Sequence, residues 1–165
     1  MTGVAKSTIA KALEMLTAPA GLNAQLAAVT EGAQEALAEV SARQVMAQNV
    51  AVDVAERSSE VLYPAVQVYC ERLVNSQREK FRAFSGKAHM AVEVRFSQDR
   101  LEGIEDRLRG YVDAVTLVLE RNQGDWGAGM FYGGGYEVAF GPVKRGGRNF
   151  VQSAKVTFAV EVSRS

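Results

Sequence analysis

Cysteine and histidine are nearly missing from this sequence, which contains Cys70, His89 and no other residue of either type. A single cysteine excludes an internal disulfide, and one cysteine with one histidine cannot form a Cys/His zinc site. His89 opens a predicted strand, where an ordinary edge residue is favoured over a general base. Cys70 is predicted to point into the core as a small apolar residue. We therefore predict no catalytic residue, no metal ligand and no cofactor, and do not expect an enzyme.

An excess of charge of one sign and a long apolar run are both absent. The chain has 19 basic and 19 acidic residues, so no global field favours a nucleic acid or an anionic membrane surface. A membrane-spanning helix needs about 20 consecutive apolar residues, and no such run occurs. Residues 1–21 interleave apolar side chains with Lys6, Lys11 and Glu14, unlike a secretory signal. The sequence predicts a soluble protein without a membrane partner, whose electrostatic contacts are local.

Helical patterning dominates the first 55 residues. Apolar residues recur at helical spacing in residues 5–17, and a stretch containing proline and glycine then interrupts them. From Leu22 to about Val54 the chain is rich in alanine and has a second helical stripe. One or two further helices are expected there, with breaks near Gly32 and Ser41. Residues 1–55 are therefore predicted to form a helical segment packed on or beside the main domain.

The remainder, residues 60–165, has the pattern of a sheet with one long helix. Four segments alternate with period two, as strands buried on one side do. They lie at 63–73, 89–97, 136–140 and 155–162. Residues 97–122 carry a helical apolar stripe, with Asp99 as the expected N-cap and Glu102 completing a capping box.

This order of elements predicts an α+β fold with a four-stranded, antiparallel-rich sheet covered by the long helix. The second strand is expected to show its other face to solvent or to a partner. A chain of 165 residues suits effectively one domain, made of the helical segment 1–55 and a ββαββ unit at 60–165.

The segment from Gly124 to Arg148 combines many glycines with aromatic residues. Glycine permits positive φ and close approach of backbones, and aromatic side chains often anchor interfaces. A phosphate-binding loop is disfavoured because no G-x-x-x-x-G-K-[ST] pattern occurs, and because this loop precedes a strand instead of opening a helix. Docking on the protein's own core stays open, whereas docking on a neighbouring subunit is favoured. The interface candidates here are Trp126, Met130, Phe131 and Tyr132.

Two clusters of basic residues on strand connections are further interface candidates. They are Lys144, Arg145 and Arg148 in one connection and Arg78, Lys80 and Arg82 in the other. Such clusters could bind phosphates, but a solvated charged loop is the commoner explanation. Nucleic-acid recognition normally leaves a larger, one-sided basic footprint. We therefore expect these clusters to pair with acidic rims on a protein partner and to fix its orientation.

The C-terminal two thirds of the chain resembles the tail terminator, or tail completion, proteins of bacteriophages and prophages. The resemblance rests on YPAVQVYC at 63–70, SQDRLEGIE at 97–105 and GDWGAGMFYGGGYEVAFGPVKRGG at 124–147. It covers roughly residues 60–163, whereas the first 55 residues resemble the family only in helical character and length. These are whole-segment likenesses without a catalytic signature, so neighbouring neck proteins of similar size stay open as alternatives.

The resemblance implies a structural protein of the virion, located at the tail–neck junction and assembled in the host cytoplasm. Its subunits would form a hexameric ring on the last ring of the tail tube, stop polymerisation and present a face to the head. The implied partners are other copies of the chain, the tail tube protein, a neck or connector protein and, in a contractile tail, a sheath protein. DNA would pass through the ring without sequence-specific binding. A small nucleotide-binding module that uses the glycine-rich loop is the alternative from another class.

Overall fold

The computed structural model of the protein describes residues 3–33, 35–57 and 61–165. Residues 1, 2 and 34, which belong to the predicted helical segment, lie outside the described residues. The predicted domain boundary between residues 55 and 60 lies partly outside them. The elements are α1 Val4–Thr17, α2 Leu22–Val29, a 3₁₀ turn Ala42–Gln44, β1 Val45–Met46, α3 Val52–Glu56, β2 Ala65–Asn75, β3 Phe84–Gln98, α4 Ile104–Arg121, β4 Gly124–Gly127, β5 Met130–Tyr132, β6 Glu137–Phe140, β7 Lys144–Gly146 and β8 Asn149–Arg164. This part of the chain confirms the α+β class, but its sheet has eight strands instead of four.

β8 is the strand around which the sheet is built. β3 pairs with it antiparallel along nearly its whole length, from Phe84 opposite Arg164 to Gln98 opposite Phe150. On its other side β7, β6 and β5 pair with it in succession, and β4 extends β5. β2 and the short parallel strand β1 complete the opposite edge. The four strands that the sequence pattern did not predict have two to four residues each. Such segments are too short to show the alternation of a strand.

The hydrophobic core lies between one face of this sheet and a layer of helices. α4 packs on β3 and β8, and α1 and α2 join the same layer. The buried apolar side chains of α4 recur every three or four positions, at Ile104, Leu108, Tyr111, Val112, Val115, Val118 and Leu119. Met90, Val92 and Val94 of β3 face them and are buried. Burial of each of these side chains stabilises the folded protein by about 1.5–3 kcal/mol. The apolar stripe of α4 is therefore the face with which the helix packs on the sheet.

α4 does not start at Asp99, where the sequence predicted an N-cap with Glu102 completing a capping box. β3 continues to Gln98, and α4 begins only at Ile104, after Gly103 with a φ of 81°. The Gln98 amide donates to the carbonyl oxygens of Arg100 and Glu102, at 2.6 and 2.7 Å. These two hydrogen bonds hold the loop between β3 and α4, where the sequence predicted the first turn of the helix. A capping box does occur elsewhere, where the Ser41 N–H donates to the Gln44 side chain at 2.9 Å.

Of the one or two helices predicted from Leu22 to about Val54, the structure has α2, which ends at Val29 close to the break expected at Gly32, and the five-residue α3. The described residues between them form no α-helix, although the sequence favoured a helix there. Asn23 holds this segment, because its amide donates to the Val40 carbonyl at 2.8 Å and its oxygen accepts from the Val40 N–H at 2.7 Å. The Tyr111 hydroxyl donates to the Ala38 carbonyl at 3.0 Å. Tertiary hydrogen bonds have therefore replaced those of a helix.

The second face of the sheet, predicted to meet solvent or a partner, is covered at one end by the chain's own backbone. Arg95 is buried there, pairs with Glu93 and donates to the Val50 carbonyl. The Val50 N–H in turn donates to the Gln67 side chain at 3.0 Å. Among the described residues, the other end of this face is open and forms a groove around His89.

Candidate interaction surfaces

Three of the four interface candidates predicted in the segment from Gly124 to Arg148 lie inside the subunit. Trp126, Met130 and Tyr132 are buried, whereas the sequence favoured a position at an interface. The rings of Trp126, Tyr132 and Phe158 have centroids 5.4–6.2 Å apart, the spacing of stabilising aromatic pairs. The Trp126 indole N–H donates to the Asn122 carbonyl at 2.7 Å. This arrangement matches the interpretation that the segment docks on its own core.

Tyr132 shows how complete this burial is. Its hydroxyl donates to the Gly135 carbonyl at 3.1 Å, which satisfies its one buried polar atom. Burial, with the nearby Tyr136 and Glu120, raises the pKa of Tyr132 to about 12. The ring therefore stays neutral at physiological pH and serves the packing of the subunit.

Phe131 points the opposite way and is the exposed member of the set. It lies between Met130 and Tyr132 on β5, and strand alternation turns its side chain to the open face, where 48% of its surface is accessible. It lines one wall of the groove with Tyr136, Glu137 and Glu161. Glu71, Arg72 and Lys87 line its β2–β3 side, where Lys87 lies directly opposite Glu161 in the β3–β8 register. The groove has a volume of about 740 Å³ and combines aromatic side chains with charges of both signs.

The one thiol and the one imidazole of the chain do not line the groove together, since Cys70 is not among its lining residues. His89 lines it, and burial lowers the pKa of this imidazole, as do the charges of Arg72 and Lys87. Cys70 packs against the core, as predicted, but it is only partly buried, and burial raises its thiol pKa. A thiol with a raised pKa is a poor nucleophile.

The first basic cluster lies on the hairpin formed by β7 and β8. Lys144, Arg145 and Arg148 are all exposed there. The Arg145 guanidinium lies over the Phe150 ring, 5.2 Å from its centroid, a favourable cation–π distance. Next to the turn of the hairpin, a Cβ atom at Gly146 would lie 2.1 Å from the Glu56 carboxylate, so glycine allows this carboxylate to approach the hairpin backbone. The three cations of the hairpin are presented to the outside.

The second basic cluster lies on the β2–β3 hairpin. Arg78 pairs with Glu161 at 3.3 Å, and Arg82 pairs with Glu79 at 3.2 Å. The tip also carries Phe81, which is completely exposed and has a φ of 65°. Sequence reasoning missed Phe81, although a lone aromatic residue between Lys80 and Arg82 in a polar connection was a usable signal. The hairpin thus adds an apolar contact point to the predicted charges.

The two basic hairpins lie at opposite ends of the sheet. The β7–β8 hairpin precedes β8, whereas the β2–β3 hairpin contacts its last residues, since Arg82 donates to the Ser165 hydroxyl at 2.7 Å. β8 has 16 residues, and a strand rises about 3.3 Å per residue, so its ends are roughly 50 Å apart along the strand. The structure therefore does not join the clusters into one patch, and it gives the subunit two separate contact regions.

Within residues 3–33, 35–57 and 61–165, no group of three or more His, Cys, Asp or Glu side chains is placed to hold a metal ion. None of the helices in that part of the chain is long and apolar enough to cross a membrane. No protein-family model matches the chain, and the search of curated proteins gives no match.

Proposed function

We propose that the protein is a structural subunit of a phage tail, a terminator that forms a ring at the head-proximal end of the tail tube. The observation that carries this proposal is the placement of two exposed basic hairpins at opposite ends of β8. A protein that ends one polymer and receives another component needs contact regions on two opposite ends. The resemblance of residues 60–163 to tail terminator proteins supports the same assignment.

In this proposal one end of the subunit contacts the tail tube protein and the other contacts a neck or connector protein. Copies of the chain join head to tail into a closed ring, taken as a hexamer from the resemblance, because heterologous contacts close into rings when the rotation permits. A sheath protein is a further partner if the tail is contractile. The protein acts in the virion at the tail–neck junction and uses no cofactor.

DNA passes through the ring in this proposal, and the bore should not hold it. A lumen lined with lysine and arginine from every subunit would bind phosphates in a salt-dependent way and slow passage. Lys144, Arg145 and Arg148 are therefore assigned to a protein contact. A different neck component, such as a head-completion or connector protein, is the alternative, and it differs in its neighbours and in the step that fails without it.

Electron microscopy of particles from the parent phage or prophage, after disruption of this gene, tests the proposal. We expect filled heads beside unjoined tails of aberrant length, because termination has failed. Free tails of normal length would instead assign the protein to head–tail joining as another neck component. Intact infectious virions would overturn both assignments.

A further inference from the structure

Phe81 is an apolar side chain with no structural role in its own subunit. It lies at the tip of the β2–β3 hairpin and is 100% exposed. Its φ of 65° is in the left-handed region, which costs a residue with a side chain about 1–2 kcal/mol. Glycine or asparagine would occupy this position at lower cost. Neither core packing nor turn geometry therefore accounts for a phenylalanine here.

The hairpin that carries Phe81 is held by a dense set of hydrogen bonds. The Asn75 side chain accepts from the Ser85 N–H at 3.0 Å and donates to the Ala83 carbonyl at 3.1 Å. The Glu79 N–H donates to the Ser85 hydroxyl at 3.0 Å, and the Glu79 carboxylate accepts from the Ser163 hydroxyl at 2.8 Å. A loop fixed in this way loses little conformational entropy on binding. The hairpin presents Phe81 in advance of any contact.

The same chain carries a surface of matching chemistry. The groove on the open face has two exposed aromatic residues, Phe131 and Tyr136, with the carboxylate of Glu137 beside them. Within its own subunit the hairpin pairs Arg78 with Glu161 and Arg82 with Glu79, so Lys80 is the cation next to Phe81 that lies outside these two pairs. An aromatic tip beside such a cation is complementary to aromatic side chains beside a carboxylate. The volume of about 740 Å³ is ample for one phenyl ring.

We propose that Phe81 of one copy inserts into the groove of a second copy of this chain, against Phe131, with Lys80 near the carboxylate of Glu137. This contact would bury two aromatic surfaces that otherwise remain in water. Because it supplies the subunit contact of the ring, it rests on the proposed function. Its defining property, however, is self-association through these residues, and that property can be measured without a phage.

The test uses the full-length chain and analytical ultracentrifugation over a wide concentration range. We expect the wild-type protein to self-associate. The substitution Phe81→Ala should raise the apparent dissociation constant by about 30-fold or more, as truncation of an interface anchor does. The matched control is Leu101→Ala, since Leu101 is also exposed, at 58%, but lies in the loop before α4. Equal effects of the two substitutions, or a wild-type protein that is monomeric throughout, would overturn the proposal.

A second measurement identifies the surface that Phe81 meets. In a Cys70→Ala background, F81C protein is mixed with T157C protein, because Thr157 lines the groove. We expect oxidation to give a mixed disulfide dimer in much higher yield than the control mixture of L101C with T157C. Equal yields would refute the groove as the site. Binding of wild-type protein to phosphatidylserine vesicles, lost in Phe81→Ala, would assign the tip to a lipid surface and also refute it.

The mass of the assembly separates this inference from the proposed function. A two-fold dimer that depends on Phe81 would support the contact and contradict the ring. Rings that persist in Phe81→Ala would support the proposed function and contradict the contact. Rings that require Phe81 and cross-link from F81C to T157C would support both.

Discussion

At the scale of single residues, Gly129 is where a hairpin turn meets the end of the central strand. Its φ is 79°, and its carbonyl accepts from the Ser163 N–H at 2.8 Å. A Cβ atom at Gly129 would lie 2.0 Å from the Ser163 carbonyl oxygen. Only glycine therefore lets the β4–β5 turn approach β8, and this approach encloses the Trp126–Tyr132–Phe158 cluster.

We predict that Gly129→Ala lowers the free energy of unfolding by about 3 kcal/mol, since left-handed strain and a backbone clash add together. Urea denaturation followed by tryptophan fluorescence measures this directly, because Trp126 lies in the affected cluster. Gly133→Ala is the matched control, as no heavy atom lies within 4 Å of its Cβ position and its φ is not positive. The control should stay within about 0.5 kcal/mol of wild type. Similar losses in both variants would contradict the role given to Gly129.

At the scale of elements, Asn23 attaches the chain that follows α2, in addition to the hydrogen bond from Tyr111 to Ala38. Asn23 makes two hydrogen bonds to the backbone of Val40, which is itself buried. Asn23→Ala would leave the Val40 N–H and carbonyl without these partners. We therefore predict a loss of about 1–3 kcal/mol in the free energy of unfolding, with faster hydrogen exchange of the Val40 amide.

The exposed Asn49 provides the comparison for this effect. Asn49→Ala makes the same chemical change nearby and should stay within about 0.5 kcal/mol of wild type. Unchanged exchange at Val40 in Asn23→Ala would show that the segment is held by other contacts, such as that between Leu37 and Gly110.

The elements also show which features a local pattern can predict. α4, β3 and β8 were predictable because each has a buried face repeated over many residues. The chain between α2 and β1 was not, because its conformation depends on Tyr111, which is 73 residues from its partner Ala38. Alanine-rich propensity is weak enough for such tertiary bonds to override it. The helix start at Ile104 was misplaced for a related reason, since Gln98 binds the connecting carbonyls from the end of β3.

The candidate surfaces were predictable to a similar, partial extent. Charge and turn residues located both basic hairpins in the sequence, and the structure exposes them. Alternation in β5 separates Phe131 from Met130 and Tyr132, but the pattern alone does not say which face is buried. An aromatic residue between Lys80 and Arg82 was a signal for Phe81, but its complete exposure and its left-handed backbone are not visible in the residue order.

At the scale of the whole molecule, a neutral protein carries its basic hairpins at two distant ends of one sheet. With balanced totals of 19 basic and 19 acidic residues, the net charge of the molecule supplies no long-range field that favours DNA. Each hairpin can still orient a partner at short range, since screening limits charge effects to about 8–10 Å in physiological salt. The function proposed for the protein therefore depends on where its charges lie and not on their sum.

This dependence predicts the effect of reversing the charges of Lys144, Arg145 and Arg148 to glutamate. The triple variant changes the net charge by 3 × 2 = 6 units, from 0 to −6, and should abolish ring closure or tail joining, because like charges would then face the acidic rim of the partner. Complementation of the disrupted gene, scored by infectious titre and electron microscopy, measures the outcome. Reversal of the exposed Lys6, Arg43 and Arg100 produces the same net charge and should complement normally. If both triple variants fail alike, net charge is responsible, and if the hairpin variant assembles normally, these residues do not contact a partner.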